Sequence, residues 1–321
     1  MTELRNNTFD ALENLLDAMK SDSVTKAELQ KKLEILRNTK LNILVVGATG
    51  VGKSSTINAI FNTNIAKVGY GSTPETKEIK SYTMKHTIIW DTPGLGDSTE
   101  NDARFAKMIQ SKLEEKDERG NGIIDLVLCI LDGASRDLGT TYNILKNTII
   151  PSLGTQTDRL IIAINKADIA RSGLGWDETN NQPDEKLRDF LEQKVESTKQ
   201  RLLEDTDIEF TPIYYSAGFT EDGLERKPYN ISKLLHKIML HLQAKKRSVI
   251  LRDVNPEKEN FQQDDKNSSY NEETVKMAEK STWETVKGVA QDILDFINKN
   301  KEILTPIALE ITKFIKSKLL K

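Results

Sequence analysis

The sequence predicts a three-layer α/β sandwich in which a mainly parallel sheet lies between helices, with further helices at both ends of the chain. From residue 41 to residue 244, apolar strand-like runs alternate with helix-like stretches, a pattern typical of a parallel sheet wrapped by helices. A glycine-rich turn separates the first of these strands from the first of these helices. At both ends of the chain, apolar residues recur at helical spacing without any strand-like run.

The order of these patterns predicts four segments. They are N-terminal helices over 1–40, the α/β domain over 41–250, a polar linker over 251–273 and C-terminal amphipathic helices over 274–321. The linker is expected because 252–273 are almost wholly polar, and such a stretch buries too little apolar surface to fold by itself.

The composition fits a chain of one large domain with appendages and excludes several classes of protein. Of the 321 residues, 37% are hydrophobic and 30% are charged, which is enough for a core. The net charge of −3 argues against a general nucleic-acid surface. The single cysteine, Cys129, lies in a strand-like run and is expected to be a packed small hydrophobe. No signal peptide or membrane-spanning run is predicted, so we expect a cytoplasmic protein.

The first helix of the domain is preceded by a phosphate-binding loop. Residues 47–54 read G-A-T-G-V-G-K-S, after the strand-like run 41–46 and before the helix-like run 55–61. Such a loop lets several backbone N–H groups converge on an anion, and the helix directs its positive end at the same point. Lys53 would lie between the β- and γ-phosphates, and the Ser54 hydroxyl would bind Mg²⁺. The residues expected around the phosphates are Gly47, Thr49, Gly50, Val51, Gly52, Lys53, Ser54 and Ser55.

A second motif predicts which base is bound. Asn165, Lys166 and Asp168 follow the buried-strand pattern of 160–164 in the order N-K-x-D. The Asp168 carboxylate can accept hydrogen bonds from the N1–H and the N2 amino group of guanine. Adenine has no such pair of donors on that edge and would leave the carboxylate unpaired. Lys166 can cover the purine with its stem, and Asn165 can brace the phosphate loop.

Two shorter motifs follow two other strands. Asp91 and Gly94 belong to a D-T-P-G sequence at the end of the strand-like run 86–90. Asp91 can hold Mg²⁺ through water, and the Gly94 N–H can contact the γ-phosphate. Ser216 and Ala217 follow another strand-like run, and the Ala217 N–H is expected to donate to guanine O6.

Taken in order, these four motifs resemble those of the P-loop GTPases, and the resemblance covers residues 41–244. It implies a G domain that binds GTP or GDP with Mg²⁺ and hydrolyses GTP to GDP and phosphate. The threonine that senses the γ-phosphate and ligates Mg²⁺ would lie in 69–77, where Thr76 precedes a basic residue as in Era-like GTPases and Thr73 is the alternative. The catalytic residues would then be Lys53, Thr76 and Gly94, and the metal site would comprise Ser54, Thr76 and Asp91.

Two positions refine the resemblance. Leu95 stands where Ras-like enzymes carry the glutamine that orients the attacking water. The chain therefore resembles the GTPases with a hydrophobic residue there, which include Era-like, septin-like and GIMAP or Toc-like proteins. Gly50 replaces the asparagine of potassium-stimulated members, so potassium activation is not expected. The sequence of 125–137 also looks like a small prophage-borne group of Era-like GTPases, whereas that of 52–58 is equally similar to GIMAP and Toc proteins.

Without a catalytic glutamine, slow hydrolysis is expected, and Arg136 could complete the site of a second copy across a nucleotide-dependent homodimer. Two classes of function remain open. One is a switch enzyme that regulates a partner, and the other is a scaffold that dimerises or polymerises with hydrolysis as a timer.

The C-terminal segment leaves a second pair of alternatives. Residues 286–297 present one apolar helical face and 304–315 another. These faces could pack on the N-terminal helices, or the basic end of the chain could contact a protein partner or an anionic membrane surface. Gly288 is the only glycine after residue 244, so the GxxG loop of an RNA-binding KH domain is absent from this segment.

Overall fold

In the computed structural model the described residues are 7–19, 24–61, 78–96, 98–221, 224–300, 309, 312–313 and 315–317. The strands are β1 (Leu41–Gly47), β2 (Lys80–Thr83), β3 (Thr87–Asp91), β4 (Leu126–Asp132), β5 (Leu160–Asn165), β6 (Trp176–Asp177), β7 (Gln182–Pro183), β8 (Ile213–Tyr214), β9 (Phe219–Glu221) and β10 (Leu224–Arg226). The helices are α1 (Asn7–Ala18), α2 (Val24–Arg37), α3 (Lys53–Ile60), α4 (Thr99–Glu114), α5 (Gly139–Ile144), α6 (Ile150–Leu153), α7 (Glu185–Thr206), α8 (Ile231–His241), α9 (Ala244–Ile250) and α10 (Tyr270–Lys299).

The chain divides into two compact units. The sheet unit comprises Leu41–Leu242 and Asp253–Thr274. The helical unit comprises Met1–Lys40, Gln243–Arg252 and Val275–Lys321. Each unit has its own cluster of buried hydrophobic side chains.

The sheet unit is built on six strands in the order β2-β3-β1-β4-β5-β8. All neighbouring pairs are parallel except β2 with β3. Every residue of β1 and of β5 is buried, because helices cover both faces of a parallel sheet. Cys129 on β4 is fully buried as predicted, and burial raises the pKa of its thiol to about 12. The mainly parallel α/β fold predicted from the sequence is thus confirmed.

In the parallel part of this sheet, all carboxyl ends lie at one edge. The phosphate loop follows β1, the D-T-P-G sequence follows β3 from Asp91, and the N-K-x-D sequence begins at the last residue of β5. Open parallel sheets bind ligands at this edge, outside the carboxyl ends of the strands. Three motifs that are far apart in sequence are therefore brought to one edge by the strand order.

In the helical unit, the apolar face predicted over 286–297 packs on the N-terminal helices. Buried residues in the second half of α10 pack in one hydrophobic cluster with those of α1 and α2. This face comprises Val286, Val289, Ala290, Ile293, Leu294 and Ile297. Of the second face, Ile315 is buried in the same cluster. Leu304, Ile307, Ala308, Ile311 and Phe314 lie outside the described residues.

The stretch predicted as a polar linker is folded instead. Its residues 253–273 belong to the sheet unit, where Phe261 is buried and Asn255 donates to the Asn58 carbonyl at 3.1 Å. Ser232 of α8 donates to Asp264 at 2.8 Å, and both side chains are buried. The prediction from polar composition was wrong because these polar side chains form hydrogen bonds with buried backbone and hydroxyl groups instead of with water.

Candidate functional site

The phosphate loop has a backbone that only glycine adopts easily. Gly50 has a φ of 71° and Gly52 a φ of 91°, both in the left-handed region. A Cβ atom at Gly52 would lie 2.3 Å from Nδ2 of Asn165. Helix α3 begins at Lys53, directly after this turn, so its first N–H groups face the loop. The loop therefore has the shape that the sequence predicted for a phosphate cradle.

The Lys53 ammonium is held against this loop. Its Nζ donates to the carbonyls of Gly47 and Ala48, each at 3.1 Å. One turn further on, the Thr56 hydroxyl donates to the Gly52 carbonyl at 2.7 Å and lies 2.6 Å from the Tyr215 hydroxyl. These contacts fix the loop and the start of α3 without using a side chain of Ser54 or Ser55, which remain partly exposed.

The carboxyl end of β3 provides the residue predicted to serve the metal. Asp91 is only 2% exposed, and its Oδ1 has no hydrogen-bond partner among the described residues. Burial raises the pKa of Asp91 to about 6, against the attraction of Lys53 and Lys80. A buried carboxylate oxygen without a partner is costly unless a cation is near, so this residue fits a magnesium site. Thr76 and its alternative Thr73 lie outside the described residues.

The chain after Asp91 runs directly along the phosphate loop. The Thr49 N–H donates to the Leu95 carbonyl at 3.0 Å, and the Leu95 N–H donates to the Gly47 carbonyl at 3.3 Å. Leu95 itself is 1% exposed and belongs to the core of the sheet unit. Its side chain is therefore packed inward, as expected for a residue that does not orient water.

A substitution at Gly94 tests the contact between the chain after Asp91 and the phosphate loop. A Cβ atom there would lie 2.3 Å from Oγ1 and 2.5 Å from Cα of Thr49. We expect Gly94→Ala to displace the phosphate loop and to weaken GDP binding by about tenfold or more, since the backbone must move. Gly122→Ala is the matched control, because its Cβ would meet only Arg159 Nη1 at 3.7 Å. Equal GDP affinity of Gly94→Ala and wild type in calorimetric titration would contradict the contact.

Asn165 joins the base-reading motif to the phosphate loop. Its Nδ2 donates to the Val51 carbonyl at 2.9 Å, and its Oδ1 accepts from the Ala217 N–H at 2.9 Å. The bracing role predicted for Asn165 is therefore visible in the structure. The Ala217 N–H donates to this side chain, and its expected donation to guanine O6 stays a prediction. The next amide, that of Gly218, donates to Ser216 Oγ at 3.2 Å.

Lys166 has a partner that the sequence did not reveal. It adopts a positive φ of 64°, and its Nζ lies 2.7 Å from Oδ2 of Asp132, the last residue of β4. The other oxygen of Asp132 accepts from the backbone N–H groups of Ala134 and Ser135. The Asp132 carboxylate thus holds the Lys166 ammonium and fixes the loop that follows β4. Arg136 of that loop is exposed.

Asp168 is nearly buried and carries an ion pair. Its side chain is 6% exposed, and its Oδ2 accepts from Nη1 of Arg226 at 2.7 Å. Arg226 lies on β10, in a hairpin that the sequence analysis did not predict. No local sequence pattern signals this pair, because its two residues are 58 positions apart.

Comparisons with known proteins agree with this site. Residues 42–166 match the family described as 50S ribosome-binding GTPase. Translocase of chloroplast 159 from Arabidopsis thaliana is 39% identical over 148 residues, covering 44% of this chain and 9% of that protein. Septin-9 from Homo sapiens is 37% identical over 95 residues, covering 25% of this chain and 16% of that protein. The chain thus spans less than a fifth of the length of these curated relatives.

Among solved structures, that of Toc33 from Arabidopsis thaliana in complex with Mg²⁺ and GMPPNP is similar. It has a TM-score of 0.44 and 15% identity, and the match covers 76% of this chain and 97% of that chain. None of the helices within the described ranges has the length and apolar content that a bilayer-crossing segment requires. Residues 42–166 match this GTPase family and include the phosphate loop and the D-T-P-G sequence, so this part of the chain is similar to a P-loop GTPase domain, with relatives among the chloroplast translocases and the septins.

Proposed function

We propose that this chain binds GTP and GDP with Mg²⁺ and hydrolyses GTP slowly, as a molecular switch. The observation that carries this proposal is the hydrogen-bonded position of Asn165. Through Asn165, the phosphate loop at Val51 and the base-reading sequence are held together at a separation of 114 residues in the chain. A nucleotide that uses both parts must then present its phosphates and its base at once, and the Asp168 carboxylate favours guanine.

Each site residue has a separate task in this proposal. Lys53 and the N–H groups of the phosphate loop neutralise the phosphates, and the start of α3 adds its positive end. Ser54 and Asp91 would hold Mg²⁺, which neutralises charge on the phosphate oxygens during transfer. Thr76 and the Gly94 N–H would contact the γ-phosphate. Lys166 would cover the purine, and Asp168 would accept its two donors.

Slow turnover follows from two residues of the site. Leu95 is packed in the core and cannot orient a water molecule. Gly50 has no side chain that could hold a potassium ion. We therefore expect turnover by the isolated chain below about 1 s⁻¹, the lower end of typical enzyme turnover.

A nucleotide-dependent assembly is the second candidate function, and the exposed side chain of Arg136 favours it. Arg136 follows β4 at the carboxyl edge of the sheet, close in sequence to Asp132 that holds Lys166. An arginine supplied by a second copy would stabilise charge in the transition state. In this case the dimer, rather than the single chain, would be the active form.

Both functions are tested by measuring turnover per molecule at increasing protein concentration, with GTP and with ATP. We expect hydrolysis of GTP but not of ATP. A rise with concentration would support assembly, and Arg136→Ala should remove most of that rise without weakening GTP binding, because a trans arginine acts on the transition state. Lys186→Ala, an exposed substitution on α7, is the control for loss of a surface charge. Equal binding of ATP and GTP would contradict the guanine assignment, and a rapid, concentration-independent rate would contradict slow activation by assembly.

A further inference from the structure

Arg226 occupies an unusual place beside the guanine-reading carboxylate. Its side chain is 15% exposed, and its guanidinium lies between two acidic side chains. On the inner side, Nη1 donates to Asp168 Oδ2 at 2.7 Å. On the outer side, Nε donates to Oε2 of the exposed Glu178 at 3.0 Å, and Nη2 pairs with Oε1 of the same residue. The fork of the guanidinium thus holds two carboxylates at once.

The protein fixes this guanidinium from several directions. The centre of the guanidinium lies 5.3 Å from the Phe219 ring centroid, and Phe219 pairs with Arg226 across the β9–β10 hairpin. Asn181, in the turn between β6 and β7, donates to the carbonyls of Lys227 and Pro228 at 3.0 and 3.1 Å. The segment that carries Glu178 is therefore fastened to the segment that carries Arg226, and the arginine is positioned before any ligand arrives.

This ion pair leaves acceptor positions on the Asp168 carboxylate for the donors of a base. A carboxylate offers about four lone-pair positions over its two oxygens. Arg226 uses one position on Oδ2, whereas the two donors of guanine would use one on each oxygen. Guanine is a neutral partner, so a buried Asp168 without Arg226 would keep an uncompensated charge, which is costly. The pair therefore does not need to break when the base binds.

We propose that Arg226 is a specificity-determining positioning residue for guanine, which orients the Asp168 carboxylate through their ion pair while both base donors bind. The inference rests on the proposed function, since it concerns the same site. The guanidinium does not touch the reacting phosphates in this scheme. Its effect is therefore on the affinity for the base and not on the chemical step.

The first measurement is GDP affinity of the full chain by calorimetric titration. We expect Arg226→Met to weaken GDP binding by about tenfold or more, since a hydrogen bond between charged groups is lost at a nearly buried site. Arg226→Lys keeps the charge without the fork and should lose less. Arg201→Met is the matched control, because Arg201 lies on α7 over the Tyr142 ring and pairs with Asp205. This control should bind GDP as the wild type does.

The second measurement separates positioning from a general structural effect. In an Asp168→Asn background, xanthosine diphosphate replaces GDP as the ligand, and no carboxylate remains for Arg226 to orient. If Arg226 acts through Asp168, adding Arg226→Met to Asp168→Asn should change xanthosine diphosphate affinity by no more than about twofold, which is the usual scatter of independent sites. A loss as large as that seen for GDP in the single variant would overturn the proposal.

The remaining outcomes are equally decisive. Tighter GDP binding by Arg226→Met would show that the arginine competes with the base, and unchanged binding would show that it has no role in base selection. Either result overturns the inference while leaving the proposed function intact. If the wild-type chain binds neither GDP nor GTP, the proposed function itself fails. If Arg226→Met does not fold, GDP affinity is measured for Arg226→Lys and Glu178→Gln instead. Wild-type affinity for GDP in both variants would also overturn the proposed role of Arg226.

Discussion

Asp168→Asn is expected to exchange the nucleotide preference of this chain from guanine to xanthine nucleotides. The asparagine amide donates where the carboxylate accepted, so it faces the N2 amino group of guanine with a like donor. The 2-oxo group of xanthine accepts at this position. We expect GTP affinity to fall by about 10²-fold or more, since a nearly buried site that cannot pair with its ligand loses several kcal/mol.

This exchange is measured by titrating GTP and xanthosine triphosphate into both proteins. The control is Asp189→Asn, an exposed substitution on α7 with the same change of charge. The loss of the ion pair with Arg226 adds to the effect on GTP, because the guanidinium then faces a neutral amide. An Asp168→Asn variant that still prefers GTP would exclude Asp168 as the base-reading group.

Lys53→Ala is expected to abolish GTP turnover while the fold remains. The ammonium lies 3.1 Å from the carbonyls of Gly47 and Ala48, so its removal takes a positive charge from the centre of the phosphate loop. Removing one such electrostatic group from a phosphoryl-transfer site costs about 10²-fold or more in turnover. Helix α3 should persist, because its first turn is also held by the Thr56 hydroxyl on the Gly52 carbonyl.

The measurement is phosphate release at saturating GTP, with circular dichroism to confirm equal helix content. Lys186→Ala serves again as the surface control. Ser54→Ala should lose turnover as well, and extra Mg²⁺ should restore part of it if the hydroxyl is a metal ligand. Unchanged phosphate release by Lys53→Ala at matched circular dichroism would refute its place between the phosphates.

The sequence predicted the sheet and the motif positions because both depend on local patterns. Strand-like runs over 41–46 and 160–164 became the buried strands β1 and β5. Once the order of parallel strands is given, the residues that follow each strand must meet at one edge. The phosphate loop, Asp91 and Asp168 could therefore be predicted to lie at one edge of the sheet from the strand pattern and the fold class.

Composition was less reliable than pattern. The polar stretch 251–273 was expected to be a linker, yet from residue 253 onward it is part of the sheet unit, held by buried Phe261 and the hydrogen bonds of Asn255 and Asp264. A sequence does not distinguish a polar side chain that hydrogen-bonds a buried group from one that faces water. The apolar face of α10 was ambiguous for a similar reason, since periodicity shows that a face is apolar but not what covers it.

The sequence by itself thus predicted the parallel α/β fold, the phosphate loop and the residues proposed to bind guanine, because each depends on a short run of residues in a fixed order. Only the tertiary structure decided which groups those residues contact. It paired Asp168 with Arg226, Lys166 with Asp132, and the Ala217 N–H with Asn165. These partners lie between 34 and 58 positions apart. Their meeting depends on how the loops at the carboxyl edge of the sheet fold over one another, which no local pattern specifies.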